Sequence, residues 1–506
     1  MSNHKDLKNS ITSIRKQQPG NKNAQFENNK RAADFIKNDL LKQGTFYNDG
    51  HKAYFFISTD KNLIEIEKSN REYNILLGRY GINRSEAIYN YVFEELYKEA
   101  FEFGQKTKIH KLAYYNPNTF TSYVFNHGNQ IYRINLSDIK LVDNGTDGVL
   151  FLSENKARLF NFKHTVSSSY IDDIIFSKTN FTADVLTPNE RRVLLIIWFY
   201  ALFFESIMPT KPILLFMGEK GSGKTTTLRK IGVLLLGDNF DVASLTDDPK
   251  DFDAIITNSA FVVIDNADSK QKWLNDKLAV VATGGKVRKR ELYTTNRLVD
   301  FTIQCFLAIT ARTPEFRRDD VADRLLFMRV DRINTFVAER HLLDEIISNR
   351  SQIMSEVVLH IQEVITALCM NSGIIESLSF RMADFADFAF KLARYANIKE
   401  EVESIFKKLS AEQNQFTLEN DPILELLIKW VPDNNGKEVT ANDLYRELNA
   451  IAQREGIPFP YRDNVQGLLQ HINNNMSNLS QFFNISRRRG RARKAFYIFT
   501  LKEDEI

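Results

Sequence analysis

Residues 212–225 read PILLFMGEKGSGKT and join an apolar run to a glycine-rich loop. An apolar strand, the pattern GxxxxGK[ST] and a helix, here through Leu228, Ile231 and Leu235, together predict a phosphate-binding loop. The glycines let the loop curl so that its N–H groups face the phosphates, and the helix N-terminus adds its dipole. A chance glycine-rich turn is the bland alternative, which the preceding strand disfavours. The predicted nucleotide contacts are Gly218, Gly221, Ser222, Gly223, Lys224, Thr225 and Thr226.

Two further groups are predicted to complete the phosphate site. Lys224 adds positive charge at the β- and γ-phosphates, and the Thr225 hydroxyl binds Mg²⁺. Residues 261–265, FVVID, read as a buried strand whose last residue, Asp265, is expected to hold the same ion. An apolar strand ending in Asp is a weak signal alone, but it gains weight from its place after the loop. The expected cofactors are therefore ATP and Mg²⁺.

The residue after Asp265 is Asn266, where ATPases of this kind often place a Glu that polarises water. An amide cannot accept a proton. Either another group such as Asp268 is the base, or the water is only oriented. The identity of the general base stays open at this point.

A third apolar strand and an arginine-rich segment follow. Residues 305–310, CFLAIT, end at Thr310, which is predicted to sense the γ-phosphate or the attacking water; a Thr that merely ends a strand is an equal alternative. Ring ATPases need a cation from the neighbouring subunit at the transferring phosphate. Arg324 is the first choice for that cation, with Arg317 and Arg318 behind it. The alternative is that these arginines pair with Asp319, Asp320 and Asp323.

Residues 283–301 read TGGKVRKRELYTTNRLVDF and are strongly basic. Segments 286–294 and 298–302 are predicted to be the two strands of a hairpin just before Thr310. In a ring, such a hairpin projects into the channel, where its cations meet DNA phosphates. A solvated basic strand face is the alternative interpretation. The candidate DNA contacts are Lys286, Arg288, Lys289 and Arg290.

The C-terminal segment predicts a second DNA-binding surface. Three helices and two strands are expected, at 421–430, 440–453, from near Asp463, 482–486 and 495–500. Helices followed by a basic-tipped hairpin predict a winged helix, which often reads duplex DNA. The sequence has no acid between Asp463 and Glu503, which favours phosphate contact over a merely solvated charge run. The candidates are Arg487, Arg488, Arg489, Arg491, Arg493 and Lys494.

Bulk composition limits the alternatives. At 506 residues the chain is long enough for two to four domains, and 43% apolar with 26% charged residues is ordinary for a soluble protein. The net charge of +3 confines any nucleic-acid surface to local patches. Cys305 and Cys369 cannot form a disulfide framework. The start has no signal-like apolar segment, and the longest apolar run, residues 193–204, is well short of the ~20 residues of a membrane span. We therefore expect a cytoplasmic protein without a membrane partner.

The domain organisation is predicted from shifts in pattern along the chain. Residues 1–30, rich in Asn, Lys and Gln, are expected to form a disordered arm. An α+β domain should follow, with strands near 53–57, 63–66, 123–125 and 131–134, a turn at 127–129 and a helix at 85–103. It carries no chemical motif and no histidine cluster. The predicted units are 1–30, 31–185, 186–340 for the ATPase core, 341–415 for a helical lid, and 420–502 for the winged helix.

Four segments together resemble a known group of proteins. GEKGSGKTT, FVVIDNAD, WLNDKLAVVATGGKVRKRELYTTN and ITARTPEFRRDDVADRLL are similar to the AAA+ ATPases of mobile elements. These include the self-loading replication initiator helicases of staphylococcal pathogenicity islands and cassette chromosome elements, relatives of MCM and superfamily 3 helicases. The resemblance covers roughly residues 187–335, the span of the motifs. The C-terminal segment is similar only in pattern.

The resemblance implies a multidomain α/β protein with an AAA+ P-loop ATPase core, an α+β N-terminal domain and a C-terminal winged helix. It implies a hexameric ring that hydrolyses ATP and translocates on single-stranded DNA, with the winged helix on duplex DNA. Arg381 is a guess for a second sensor. The leading hypothesis is a helicase for replication initiation of a mobile element. The alternatives are an ATP-driven regulatory or defence switch that assembles on DNA without unwinding, and a metabolic or signalling P-loop kinase, which the basic segments disfavour.

Overall fold

The computed structural model describes residues 4–16, 22–127, 129–152, 159–166, 169–267, 271, 273–290, 298–314, 318–418, 421–480, 482–489 and 495–502. Over these ranges the chain is a multidomain α/β protein. Its central feature is a parallel sheet flanked by helices. An N-terminal module and a C-terminal module each enclose a hydrophobic core of their own.

The N-terminal module combines a small sheet with helices. Its elements are α1 (His4–Lys16), α2 (Lys22–Gln43), β1 (Gly44–Asn48), β2 (Ala53–Ile57), β3 (Asn62–Glu65), α3 (Arg71–Gly78), α4 (Ala87–Glu102) and β4 (Gln105–Lys106). The strand order is β3-β2-β1-β4, with β1 and β4 parallel and the other pairs antiparallel. The strand predicted at 53–57 has those bounds, and the helix predicted at 85–103 is α4, slightly shorter.

The disordered arm predicted for residues 1–30 is not what the structure describes. Residues 4–16 and 22–30 are helical, as α1 and the first part of α2. Leu7 and Ile11, one turn apart on α1, are 7% and 2% exposed in the N-terminal core. The prediction was based on the small number of apolar residues. Their spacing, however, places them on one face of the helix, and that face is enough to bury α1 against the core.

A second sheet of four strands lies between this module and the centre, together with a separate two-stranded sheet. The strands of the two are β5 (Ile109–His110), β6 (Ala113–Asn116), β7 (Thr121–His127), β8 (Gln130–Ile134), β9 (Ile139–Asp143) and β10 (Leu150–Phe151). β6 to β9 form an antiparallel meander, and β5 pairs with β10. Strands predicted at 123–125 and 131–134 lie within β7 and β8; the predicted turn includes residue 128, outside the described residues. Tyr115, Val124 and Tyr132 belong to the core of the central sheet, so the core does not divide at residue 185.

The central module carries the glycine-rich loop. It comprises α5 (Pro188–Ala201), β11 (Ile213–Met217), α6 (Lys224–Leu236), β12 (Ala243–Ser244), α7 (Pro249–Asn258), β13 (Phe261–Asp265), α8 (Leu274–Ala282), β14 (Lys286–Arg290), β15 (Leu298–Thr302), β16 (Phe306–Ala311), α9 (Asp319–Ala322) and β17 (Leu325–Arg329). The five-stranded sheet has the order β12-β13-β16-β11-β17 and is parallel throughout. Both of its faces are covered, which is why its strands read as continuous apolar runs. The carboxyl ends of β11, β13 and β16 therefore share one edge.

Three helices complete the central core: α10 (Glu339–Met370), α11 (Ala383–Tyr395) and α12 (Lys399–Leu418). α10 is long and apolar enough to cross a membrane by length and composition, but 61% of its most apolar window is buried in the fold. That burial is typical of a core helix. The predicted lid thus shares its core with the predicted ATPase unit.

The C-terminal module contains helices around a small sheet. Its elements are α13 (Pro422–Trp430), β18 (Glu438–Thr440), α14 (Ala441–Glu455), α15 (Val465–Asn474), α16 (Met476–Leu479), β19 (Phe483–Arg489) and β20 (Ala495–Leu501). The sheet has the antiparallel order β18-β20-β19. Asp421 caps α13 and Thr440 caps α14, as their sequences predicted. The sequence did not predict β18 or α16.

Candidate functional site

The glycine-rich loop lies at the carboxyl edge of the central sheet, between β11 and α6. Gly221 and Gly223 have φ of +82° and +79°, a left-handed conformation that favours glycine. At Gly218 a Cβ would lie 2.2 Å from the carbonyl oxygen of Val330, so a side chain has no room there. These three glycines are therefore required by backbone geometry and by the close approach of the chain after β17.

Lys224 begins α6, and its ammonium group bends back over the loop. Nζ donates to the carbonyl oxygens of Gly218 at 2.6 Å and Glu219 at 2.8 Å, and to Ser222 Oγ at 3.2 Å. Ser222 Oγ donates to the Glu219 carbonyl at 2.8 Å, so its side chain stabilises the loop. Thr226 follows in the first turn of α6. The predicted phosphate contacts thus converge on one concave loop.

Thr225 and Asp265 are brought together from α6 and β13. Thr225 Oγ1 donates to Asp265 Oδ1 at 2.7 Å. A hydroxyl and a carboxylate are oxygen ligands of the kind that Mg²⁺ prefers, and Mg²⁺ commonly uses few protein ligands beside phosphates and water. Among the described residues, no group of three or more His, Cys, Asp or Glu side chains clusters as a metal site. The two side chains therefore fit a metal that is held partly by its nucleotide.

Thr310, the predicted sensor, lies at the end of β16 and is fully buried. Its hydroxyl donates to Asp265 Oδ1 at 2.5 Å and accepts a hydrogen bond from the Asn266 N–H at 3.0 Å. Both hydrogen bonds act on the Asp265 segment. In this arrangement Thr310 orients the carboxylate, and a contact with the γ-phosphate requires its hydroxyl to change partners.

Asn266 supports the same carboxylate from the other side. Its side-chain amide donates to Asp265 Oδ2 at 3.2 Å. Its φ of +53° turns the chain sharply after β13, in a conformation that Asn tolerates better than most residues. Thr225, Thr310 and Asn266 together restrain both oxygens of Asp265. Asp268, the alternative general base, lies outside the described residues.

Arg324, the predicted arginine finger, lies at the opposite edge of the sheet from the loop. Its carbonyl accepts from the Ile213 N–H at 2.9 Å, at the amino end of β11. Five strand residues at about 3.3 Å each separate it from the loop by about 16 Å. Its guanidinium, partly buried, donates to the Asp320 carbonyl. Arg324 therefore does not act on its own subunit's loop, and only a neighbouring subunit's nucleotide is compatible with the predicted role.

The other candidate arginines have acidic partners. Arg318 binds the carboxylates of Asp276 and Asp320. Its pairing with Asp320 is the one expected if the arginine has a structural rather than a catalytic role. Arg381 Nε lies 3.0 Å from Asp323 Oδ2. Arg317 falls outside the described residues.

Three side chains beside the loop were not predicted. Arg312 follows β16, and its guanidinium lies 3.6 Å from the Glu219 carboxylate in the loop. Residues 331–338, which follow β17, cross the loop and carry Arg332 and Phe336. The Ile333 N–H donates to the Gly221 carbonyl at 3.0 Å. No sequence signal marks these residues, because their position depends on β17 pairing with β11.

The predicted hairpin before Thr310 is present. β14 and β15 pair antiparallel with Lys286 opposite Thr302. Lys286 is exposed, whereas Val287 is 4% exposed on the opposite face. The side chains of Arg288, Lys289 and Arg290, with residues 291–297, lie outside the described part. The ring of Phe301 lies 5.1 Å from that of His51, so the N-terminal module contacts the base of the hairpin.

The C-terminal basic run is opposed by an acid, contrary to the prediction. Arg488 is 69% exposed, and its guanidinium makes two 3.1 Å hydrogen bonds to the Glu438 carboxylate. Sequence distance hid this pair, since β18 reaches the run by pairing with β20. Arg487, also exposed, donates to Asn473 Oδ1 at 3.1 Å and lies over the Tyr497 ring. The side chains of the other candidates lie outside the described part of the chain: Arg489, Arg491, Arg493 and Lys494.

Comparison with known proteins places this site in context. Residues 173–404, which span the loop, Asp265, Thr310 and α10 to α11, match the model of a family described as actinomycete integrative conjugative element replication protein. The match supports a replication protein of a mobile element. No curated protein matches the sequence. The staphylococcal resemblance and the helicase role stay predictions beside this broader match.

Solved structures of the NrS-1 C-terminal region are similar over most of the chain. One apo structure is 11% identical with a TM-score of 0.43, covering 92% of this chain and 99% of that one. Another apo structure is 12% identical with a TM-score of 0.40, covering 92% and 98%. Likeness at this level leaves the function to be argued from the residues of the chain itself.

Proposed function

We propose that the chain is an ATP-dependent DNA helicase that acts in replication initiation of a mobile element. The observation that carries the proposal is the convergence of Lys224, Thr225 and Asp265 at the glycine-rich loop. The proposed architecture is an AAA+ ATPase core followed by a winged helix. The match to replication proteins of conjugative elements supports the setting.

In the proposed reaction each residue has a distinct task. Lys224 exchanges its loop carbonyl partners for the β- and γ-phosphate oxygens. Thr225 and Asp265 hold Mg²⁺, which when bound neutralises charge on the transferring phosphoryl group. Thr310 and Asn266 keep the Asp265 carboxylate oriented.

The position of Arg324 supports a ring in which subunits share each site. Arg324 lies at the sheet edge opposite its own loop, about 16 Å along the strands from the nucleotide that its own subunit would bind. In a closed ring this edge faces the loop of the next subunit, where a cation stabilises the transferring phosphate. A hexamer is the proposed assembly, by resemblance.

Two surfaces are proposed to contact DNA. The hairpin of β14 and β15 carries exposed Lys286 and three further cations toward its tip. In the C-terminal module, Arg487 and the residues after β19 supply phosphate contacts, while Arg488 is partly neutralised by Glu438. Single-stranded DNA is the proposed ligand of the first surface and duplex DNA that of the second.

ATP hydrolysis and strand separation by the purified chain test the proposal. Lys224→Ala should lower ATP turnover by about 100-fold or more, because it removes charge stabilisation of the transferring phosphoryl group. Lys220→Ala, in the same loop but exposed, is the matched control and should keep activity. A forked duplex should be unwound by the wild type and the control only. ATP turnover without any strand separation contradicts the helicase.

The second candidate is an ATP-driven switch that assembles on DNA without unwinding it. Thr310 is buried and its hydroxyl donates to Asp265. A sensor residue in this position is compatible with slow ATP hydrolysis, which a switch requires and a translocating helicase does not. Replacing Lys289 and Arg290 by Ala separates the two. A helicase should lose unwinding but keep ring assembly, whereas a switch that acts through its C-terminal module should be little affected.

A further inference from the structure

An exposed aromatic side chain lies directly against the phosphate loop. Phe336 is 66% exposed, and the neighbouring Val337 is 57% exposed. A Cβ placed at Gly221 would lie only 3.2 Å from Phe336 Cζ and 3.9 Å from Arg332 Nε. Exposing a large ring to water is unfavourable. A ligand that covered the ring would bury this apolar surface and gain affinity from it.

The segment that carries Phe336 is fixed to the loop rather than merely near it. The Ile333 N–H donates to the Gly221 carbonyl at 3.0 Å. A Cβ at Gly223 would lie 2.9 Å from Ile333 Cδ1, so the packing is tight. These contacts hold Ile333 against the loop, and Phe336 follows three residues later beside Gly221.

A second segment, residues 180–182, contacts the other side of residues 330–336, which we call the strip. Phe181 and Val330 form an antiparallel bridge. The Asn180 amide donates to the Arg332 carbonyl at 3.3 Å, and Thr182 Oγ1 donates to Asp331 Oδ1 at 2.8 Å. The strip that presents Phe336 is thus tied to the loop on one side and to residues 180–182 on the other. Its ring is presented by a supported backbone.

We propose that Phe336 stacks on the base of the bound nucleotide. This inference rests on the proposed ATP site, because the triphosphate in the loop places the nucleoside beside it. Stacking on an aromatic ring accepts any base, since every base has a π-face. The site therefore takes nucleoside triphosphates as a class, with the ring supplying affinity and the loop supplying phosphate recognition.

Binding of a non-hydrolysable ATP analogue and of inorganic tripolyphosphate, both with Mg²⁺, tests this by calorimetry on the full chain. Phe336→Ala should weaken binding of the ATP analogue by about 10- to 100-fold, as expected when a base loses a stacking partner. Tripolyphosphate affinity should change less than about twofold, because it has no base. Phe336→Trp should restore the analogue's affinity, and a GTP analogue should behave like the ATP analogue.

Phe103→Ala is the matched control, since Phe103 is 74% exposed in the N-terminal module far along the chain from the loop. Equal loss of both ligands in Phe336→Ala overturns the inference, because it shows that the ring only shapes the loop. Unchanged affinity for both ligands also overturns it. So does a change in sedimentation of the ligand-free variant with unchanged affinity, which identifies a subunit contact instead. Wild-type protein that binds neither ligand contradicts the proposed ATP site itself, and this inference with it.

Discussion

At the scale of single residues, the surroundings of Asp265 decide how the site works. One carboxylate oxygen accepts from Thr225 and Thr310, and the other accepts from Asn266. Three donors on one carboxylate restrict its rotation. Under the proposed function, Asp265 is therefore oriented before Mg²⁺ binds.

Replacing Thr310 by Val tests whether that hydroxyl positions Asp265. The variant removes the hydrogen bond to the carboxylate and leaves the Asn266 N–H without its acceptor. A hydrogen bond to a charged group contributes about 1.5–3 kcal/mol, so the Mg²⁺ concentration for half-maximal ATP turnover should rise at least tenfold. Thr366→Val is the control: the Thr366 hydroxyl donates to the Gln362 carbonyl within α10, so the variant should not change this Mg²⁺ concentration. A fall in turnover with unchanged Mg²⁺ dependence would instead support phosphate sensing.

His110 makes the fold sensitive to acid. It is 7% exposed and stacks on Tyr114, and burial lowers its pKa to about 3, with a smaller contribution from Lys108. The folded pKa lies below the unfolded value of about 6.5, so the unfolded chain binds the proton first as pH falls. Stability from this residue is complete above about pH 6.5 and is lost by about 1.4 kcal/mol per pH unit below it.

The His110→Phe variant should lack this acid-dependent loss of stability, because Phe binds no proton. Its melting temperature, measured from pH 7 to pH 5, should fall less than that of the wild type. The exposed His341 provides a comparison, and His341→Asn should keep the slope of the wild type. If the melting temperature fell equally with pH in wild type and His110→Phe, His110 would not be the source of the acid sensitivity.

At the scale of elements, a buried ion cluster joins α5, β17 and α12. The Arg191 side chain, 0% exposed, makes hydrogen bonds of 3.1 Å and 3.0 Å to Glu412, which is 1% exposed. Arg329 at the end of β17 donates to the same carboxylate at 2.7 Å. Because β17 leads directly into residues 331–336 beside the glycine-rich loop, this cluster connects the proposed nucleotide site to α12.

Glu412→Gln should therefore be strongly destabilising. Removing one partner of a buried ion pair typically costs about 3–5 kcal/mol, because a charge is left buried without it. Asp184 remains as a carboxylate partner of both Arg191 and Arg329, so we expect a cost of about 3 kcal/mol, at the lower end of that range. Urea unfolding of the central module measures the effect. Glu403→Gln removes an exposed partner of Lys407 on the same helix and should change stability by less than about 1 kcal/mol. Equal effects of the two variants would exclude a buried-charge penalty.

At the scale of the whole molecule, the hydrophobic cores divide the chain differently from its sequence patterns. Tyr115, Val124, Tyr132 and Phe160 lie upstream of the predicted boundary at residue 185, yet they pack in the core of the central sheet. The C-terminal module, in contrast, has a separate core that includes Trp430 and Leu448.

Fragments test this division. A fragment of residues 187–418 should fail to give a cooperative thermal transition, because it loses twelve buried aromatic or aliphatic side chains of the described central core, each of which contributes about 1.5–3 kcal/mol. A fragment of residues 105–418 should unfold cooperatively. The C-terminal fragment of residues 421–502 serves as a positive control. A stable 187–418 fragment would show that the second sheet is dispensable for the central core.

Much of the site was predictable because its signals are local. The strand, loop and helix around Lys224 form a continuous pattern, and so do the caps at Thr187, Asp421 and Thr440, all of which the structure describes. The hairpin strand predicted at 298–302 has those bounds, and the one predicted at 286–294 begins at Lys286, while its predicted end lies outside the described residues. Nearest-neighbour chemistry determines each of these features, so a short stretch of sequence contains the information.

What escaped prediction depends on which strands lie side by side. The α1 helix was judged by composition rather than spacing, an error of sequence reasoning. The partnership of Arg488 with Glu438 and the place of Phe336 beside Gly221 are different, because strand pairing between distant segments creates them. The sequence by itself determined the phosphate loop and the acid that faces it. Only the tertiary structure decided that Thr310 turns toward Asp265, that Arg324 lies at the far edge, and that the residues after β17 flank the loop, because these depend on the order of strands in the sheet.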